Sequence, residues 1–206
     1  MHIILVRHGQ SEALAGLSDD VDCGLTAAGL CQAGALAASL APEGLTWILS
    51  SPLRRCLLTA EVIRRVTGAP AELCPALHEH HHDPLPAGWP LLGKASIATN
   101  FPHFIVPPNM PETHWATAPE DRPRLWQRIS GVVTGILDRF QRQADARVAV
   151  VTHGAPASVF VQAFCQWTNP LRASVRIDPG SLSILSVEAS GRRVLAQLNC
   201  MPPPIS

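Results

Sequence analysis

The chain has no tyrosine and a single lysine, Lys94, so every other fixed positive charge is an arginine. Only 16% of the residues are charged, and sixteen basic side chains balance sixteen acidic ones. No overall field therefore recruits nucleic acid or an anionic membrane surface. There is no C-x-x-C pair among the six cysteines (Cys23, Cys31, Cys56, Cys74, Cys165 and Cys200), a scatter that reads as free thiols in a reducing compartment. No apolar run approaches membrane-spanning length. The opening MHIILVRHG is too short, and charged too soon, for a secretory signal. These absences predict a cytoplasmic protein.

What is present is a globular composition. Hydrophobic residues make up 47% of the 206, enough to build a substantial core in one domain spanning residues 1–206. Residues 2–6 form a short β-rich apolar run, as expected of a buried strand, and end abruptly in Arg7-His8-Gly9. Thr26 is placed to cap a helix running to about residue 40. A second strand is expected over 45–49, followed by Ser50-Ser51-Pro52, with Pro52 suited to the first turn of a helix reaching about residue 66. Apolar residues at helical spacing predict an amphipathic helix over 125–140. A third buried strand over 148–151 ends in Thr152-His153-Gly154, and 181–188 with 193–198 read as a terminal hairpin. Strands alternating with helices indicate an α/β fold, expected as a three-layer α/β/α sandwich with a mostly parallel central sheet.

Residues 84–123 stand apart. They carry nine prolines, with Trp89, Phe101, Phe104 and Trp115 interspersed. So long an irregular stretch predicts an inserted Pro-rich lid that sets substrate specificity, with Trp89, His103 and Trp115 as candidate substrate contacts.

Three strand ends carry unusual polar residues: Arg7-His8-Gly9, Ser50-Ser51-Pro52-Leu53-Arg54-Arg55 and Thr152-His153-Gly154. In α/β sheets, ligands gather beyond the carboxyl ends of the strands. A neutral imidazole with one nitrogen held is a competent nucleophile near pH 7. Arginine forks neutralise phosphoryl oxygens as charge redistributes, and a departing alkoxide needs a proton from a carboxylic acid. Glu79 can fill that last role. It lies in LHEHHHD, whose centre also satisfies the H-E-x-x-H pattern of zinc proteases. That reading needs His78 and His82 on one helical face, but Pro75 and Pro84 confine any helix to about two turns. The extended form would want glycine at 85 and histidine at 88, where Leu85 and Gly88 stand. Adventitious metal capture by His80, His81 or His82 is a separate reading.

VRHGQS, GLTAAGLCQA at 24–33, SSPLRRCLLTAEVI at 50–63, LHE at 77–79 and VTHG at 151–154 together resemble the histidine phosphatase superfamily, also called phosphoglycerate-mutase-like. The matching blocks stand in the family's order and span about residues 2–165. The resemblance implies that His8 is the nucleophile that becomes phosphohistidine. It implies that Arg7, Ser11, Arg55, His153 and Gly154 bind phosphate, and that Glu79 is the proton donor. Arg55, not Arg54, aligns with the pocket arginine, and Cys56 replaces the usual alanine. Leu14 stands where many members have an asparagine, and no W-E-G follows the L-x-E block. The E-R-x-Y-G segment of the mutases is absent, which favours a phosphatase over a mutase.

The implied activity is hydrolysis of a small phosphomonoester through phospho-His8, with no cofactor and no metal. The partner expected is that small-molecule substrate, with neither nucleic acid nor membrane; oligomeric state is open, a homodimer being one arrangement. A mutase-like phosphoryl transfer and a non-catalytic phospho-ligand-binding module are the alternatives.

Overall fold

The computed structural model describes residues 1–81, 92–110, 112, 119–143, 145–167 and 173–204. Trp89, Trp115, His82 and His114 lie outside the described residues. Seven strands form one sheet: β1 (His2–Arg7), β2 (Trp47–Ser50), β3 (Ala71–Leu73), β4 (Phe104–Ile105), β5 (Arg147–Thr152), β6 (Leu182–Val187) and β7 (Arg193–Cys200). Their order is β4-β3-β2-β5-β1-β6-β7, parallel from β4 to β1 and antiparallel from β1 to β7. Among the described residues five α-helices accompany them: α1 (Ala27–Leu40), α2 (Arg54–Thr67), α3 (Lys94–Asn100), α4 (Arg122–Phe140) and α5 (Gly154–Phe164). The α/β fold and mostly parallel sheet are thus as expected. Among the described residues no helix is long and apolar enough to cross a membrane.

The central strands are apolar on both faces, and their period of two sorts side chains into two cores. Ile3 and Leu5 of β1, with Val148 and Val150 of β5, pack under α4 and α5. Ile4 and Val6, with Ala149 and Val151, face the side of α1, α2 and α3. Each of these strand residues is essentially inaccessible to solvent. Full burial of one such Val, Leu or Ile side chain contributes about 1.5–3 kcal/mol.

Thr26 caps α1 as expected, its Oγ1 accepting from the Gly29 N–H at 3.0 Å. In α2 the start differs from expectation. Leu53 is the capping residue and Pro52 lies outside the helix. Asp22, distant in sequence, supplies the acceptor, taking the Arg54 N–H at 2.6 Å. Three short elements were absent from the sequence reading: β3, β4 and α3. Strands of three and two residues carry too little pattern to be recognised alone. Two of the three, α3 and β4, fall inside the Pro-rich 84–123 segment, so its described part is not wholly irregular: β4 completes one edge of the sheet beside β3.

Candidate active site

The parallel register of β1 on β5 pairs Arg7 with Thr152, and the His8 N–H donates to Thr152 O at 3.0 Å. The two strand-end histidines are therefore neighbours, ring centroids 5.0 Å apart at 64°. The Ser51 N–H donates to Val151 O at 3.0 Å, which brings the end of β2 to the same level. Thr152 Oγ1 donates to Leu77 O at 2.8 Å and so ties down the segment leading to Glu79.

His8 is buried, with Nδ1 2.7 Å from Gly9 O. A carbonyl only accepts, so Nδ1 carries the proton and Nε2 keeps its lone pair. Burial, then the Arg55 charge, hold His8 well below the usual histidine pKa, so the ring is neutral at pH 7. His153 is fully buried and likewise pushed well down, by burial first and Arg55 second. Its Nε2 lies 2.8 Å from Ser51 Oγ and 3.4 Å from Cys56 Sγ. Its Nδ1 is 3.9 Å from Glu79 Oε2, too far for a hydrogen bond, and a neutral ring forms no ion pair. Burial pushes the Cys56 thiol far up, so it packs as a thiol and not as a nucleophile.

Both arginines are aimed by carbonyls. Arg7 Nη1 donates to Ile177 O at 2.7 Å, and Arg55 Nη1 to Val21 O at 2.6 Å. Arg7 Nε is buried with no protein partner among the described residues. The remaining N–H groups of two forks are the donors an anion requires. Thr59 links the loop to the arginine helix: Oγ1 accepts from the Gly9 N–H at 3.3 Å and donates to Arg55 O at 2.8 Å. Ser11 is buried, its Oγ accepting from the Leu14 N–H at 3.3 Å. Gly154 opens α5, whose N-terminal N–H groups favour an anion, and packs against the Arg7 guanidinium.

Arg7, His8, Ser11, Arg55, Glu79 and His81 line one cavity of about 310 Å³. Neither His153, which is fully buried, nor Gly154 is among them, and neither is His103. His103 lines a separate cavity of about 750 Å³ beside Arg54 and Phe101. Trp89 and Trp115 lie outside the described residues. Residues 78–81 form no helix, so the H-E-x-x-H spelling has no helical face to act from. Instead His78 Nδ1 donates to Glu79 O at 2.7 Å and its ring stacks on that of His81, 6.4 Å away and 4° from parallel. His80 Nε2 donates to Glu120 O at 2.7 Å.

The family profile described as histidine phosphatase superfamily (branch 1) matches residues 3–200. The chain belongs to that superfamily. Among the relatives of this histidine phosphatase superfamily member is a Photorhabdus laumondii protein named "Probable phosphoglycerate mutase GpmB", 39% identical over 83 residues. That match covers 39% of this chain and 39% of the relative, so it spans about two fifths of the relative's length. Two solved structures share the fold. The mycobacterial glucosyl-3-phosphoglycerate phosphatase complexed with VO3 superposes with a TM-score of 0.69 at 23% identity, covering 96% of this chain and 98% of that one. The alpha-ribazole phosphatase of Shigella flexneri gives 0.70 at 19% identity, with all of both chains covered.

Several residues around the cavity escaped the sequence reading. Asp22 and Arg128 act from behind the lining, bonding backbone groups far away in sequence, Asp22 those of Arg54 and Leu92 and Arg128 those of Ala76 and His78, and no local pattern announces them. Arg128 alone left a trace, lying three residues after Leu125 on the apolar side of α4.

Proposed function

We propose that the protein is a metal-independent phosphatase of small phosphomonoesters, working through a phosphohistidine on His8. One observation carries the reading: a neutral His8 with Nδ1 tied to Gly9 O faces a cavity that also holds Arg7, Arg55 and Glu79. The phosphate dianion binds Arg7, Arg55, Ser11, His153 and the N-terminal backbone of α5 around Gly154. His8 Nε2 attacks phosphorus in line as the ester P–O bond breaks. Glu79 in its acid form gives its proton to the departing oxygen, which leaves as an alcohol. The positive charge that develops on the imidazole is held through Nδ1–H by Gly9 O. Glu79 then takes a proton from water as the water oxygen attacks phosphorus, and the N–P bond breaks to release phosphate. The two arginines supply the charge stabilisation that other phosphoryl-transfer enzymes draw from metal ions, and His153 and the backbone N–H groups can add hydrogen bonds.

The 84–123 segment acts as the substrate-selecting lid in this scheme. Its residue Leu92 is bonded through N–H to Asp22, in the loop whose Val21 carbonyl aims Arg55. The second reading is phosphoryl transfer between positions of one substrate, favoured by the likeness to the Photorhabdus protein. The absence of E-R-x-Y-G weighs against it.

His8→Ala should abolish turnover of 4-nitrophenyl phosphate with the fold intact by circular dichroism; retained turnover would exclude His8 as the nucleophile. Acid quenching of the wild-type protein during turnover should trap acid-labile phosphate on His8, which a mere binding module would not accumulate. Free phosphate as the product, rather than an isomerised ester, separates phosphatase from mutase.

A further inference from the structure

Glu79 is held by little of its own. Its Oε1 accepts from the His80 N–H at 2.9 Å, a bond to the next residue that fixes the carboxylate only relative to its own local backbone. That backbone is fixed from elsewhere. Arg128, in the second turn of α4, donates through Nη1 to Ala76 O at 2.6 Å and to His78 O at 3.1 Å. Its Nε and Nη2 make a bidentate fork to Glu120 at 2.7 and 2.6 Å. Glu120 continues the contact with its own main chain: its N–H donates to His81 O at 2.8 Å and its carbonyl accepts from His80 Nε2 at 2.7 Å. One ion pair therefore grips the chain on both sides of Glu79, at residues 76 and 78 before it and 80 and 81 after it.

Both partners are largely buried, with side chains 15% and 11% exposed. A buried ion pair is weak evidence for a stability role, because desolvation offsets most of the Coulombic gain. Its geometry here is more informative. A guanidinium can fork a carboxylate and still reach two carbonyls, whereas a lysine ammonium cannot span the same four acceptors. The opposite end of the pair is α4, anchored in the core by Leu125 and Ile129 on either side of Arg128.

We propose that Arg128, through its pair with Glu120, is the positioning residue that holds Glu79 for proton transfer to the leaving group. This rests on the donor role proposed above for Glu79. The histidines of LHEHHHD gain a reason in the same scheme: the His80 ring is one of the points of grip.

The test compares kcat/KM for 4-nitrophenyl phosphate, whose leaving group needs no proton, with phenyl phosphate, whose leaving group does. Wild type, Glu79→Gln, Arg128→Lys and the double variant are measured. Arg128→Lys should lower phenyl phosphate turnover about 30-fold and 4-nitrophenyl phosphate turnover no more than about 3-fold. In the Glu79→Gln background it should have less than about a 2-fold effect, because there is no donor left to position. Equal losses on both substrates, or a loss that multiplies with that of Glu79→Gln, would mean a purely structural role and overturn the proposal. If Glu79→Gln itself loses equally on both substrates, the donor role fails and the positioning role with it, an outcome distinct from failure of Arg128→Lys alone. Should Arg128→Lys not fold, Glu120→Gln weakens the same fork while keeping both main-chain contacts of residue 120, and is read by the same criteria.

Discussion

Gly154 and Gly9 each follow a strand-end histidine, a place where a glycine can let a ligand near the backbone. Neither has a positive φ. Their spaces are instead filled by the protein. A Cβ on Gly154 would lie 3.2 Å from Arg7 Cζ and 3.3 Å from its Nη1, and a Cβ on Gly9 would collide with the Gly29 carbonyl of α1. At Gly154 the neighbour is a side chain that can yield by a few tenths of an ångström, but Arg7 is held at Nη1 by Ile177 O and yields only by moving its fork. Gly154→Ala should therefore leave stability within about 0.5 kcal/mol, alanine being a better helix former at that position. It should also weaken competitive inhibition by inorganic phosphate about tenfold, as misplaced binding groups do. An unchanged phosphate inhibition constant would show that the packing of Gly154 on the Arg7 fork does not set phosphate binding. The meeting of His8, Arg55 and His153 was legible because each stands at or just beyond the end of an apolar strand. What their glycines pack against was not, since it depends on which helix crosses them.

Register is the device that turns three strand ends into one site. Parallel pairing of β1, β5 and β2 places residues 7, 152 and 51 at one level, and the elements that follow, above all α2, bring their polar residues to it. The long periodic helices and the strands with unbroken apolar runs could be read from pattern. The short β3, β4 and α3 exist through tertiary pairing and could not. Asp22 shows how such pieces are joined. Its carboxylate is 1% exposed, with Oδ1 accepting from the first N–H of α2 and Oδ2 from the Leu92 N–H at 3.0 Å. Burial raises its pKa, and the two N–H groups oppose that rise by favouring the ionised form. Asp22→Ala withdraws the acceptor from both donors and should lower stability by about 2 kcal/mol in urea unfolding, the scale of a lost helix cap and an unsatisfied buried amide. It should also raise KM for 4-nitrophenyl phosphate, because the adjoining Val21 carbonyl aims Arg55. A stability loss with KM unchanged would confine Asp22 to the fold.

At the scale of the whole molecule, the site is a store of neutral histidines beyond the carboxyl ends of the central strands. His8, His78, His81 and His153 are all held below the ordinary value of 6.5, each chiefly by burial, and His78 and His81 lie at about 4. The unfolded chain protonates these rings near 6.5 while the folded protein leaves them neutral. Between about pH 6.5 and 4 the unfolded state therefore binds more protons, and stability must fall as pH falls through that window. Glu61 and Glu120, held below 4.5 by Arg64 and Arg128 despite partial burial, extend the loss in the same direction at lower pH. His2, also lowered chiefly by burial, adds to the loss in the same sense, and Asp22, with its raised pKa, acts with the opposite sign, one group against five rings. Calorimetry from pH 7.5 to 4.5 should show Tm falling steadily below about pH 6.5, with up to four protons taken up on unfolding near pH 5. In His78→Gln, whose amide can still donate to Glu79 O, the uptake should drop by about one proton and the Tm curve should flatten. A Tm independent of pH between 6.5 and 4.5 would mean that these rings are charged in the folded protein. The neutral nucleophile on which the proposed chemistry depends would then be absent.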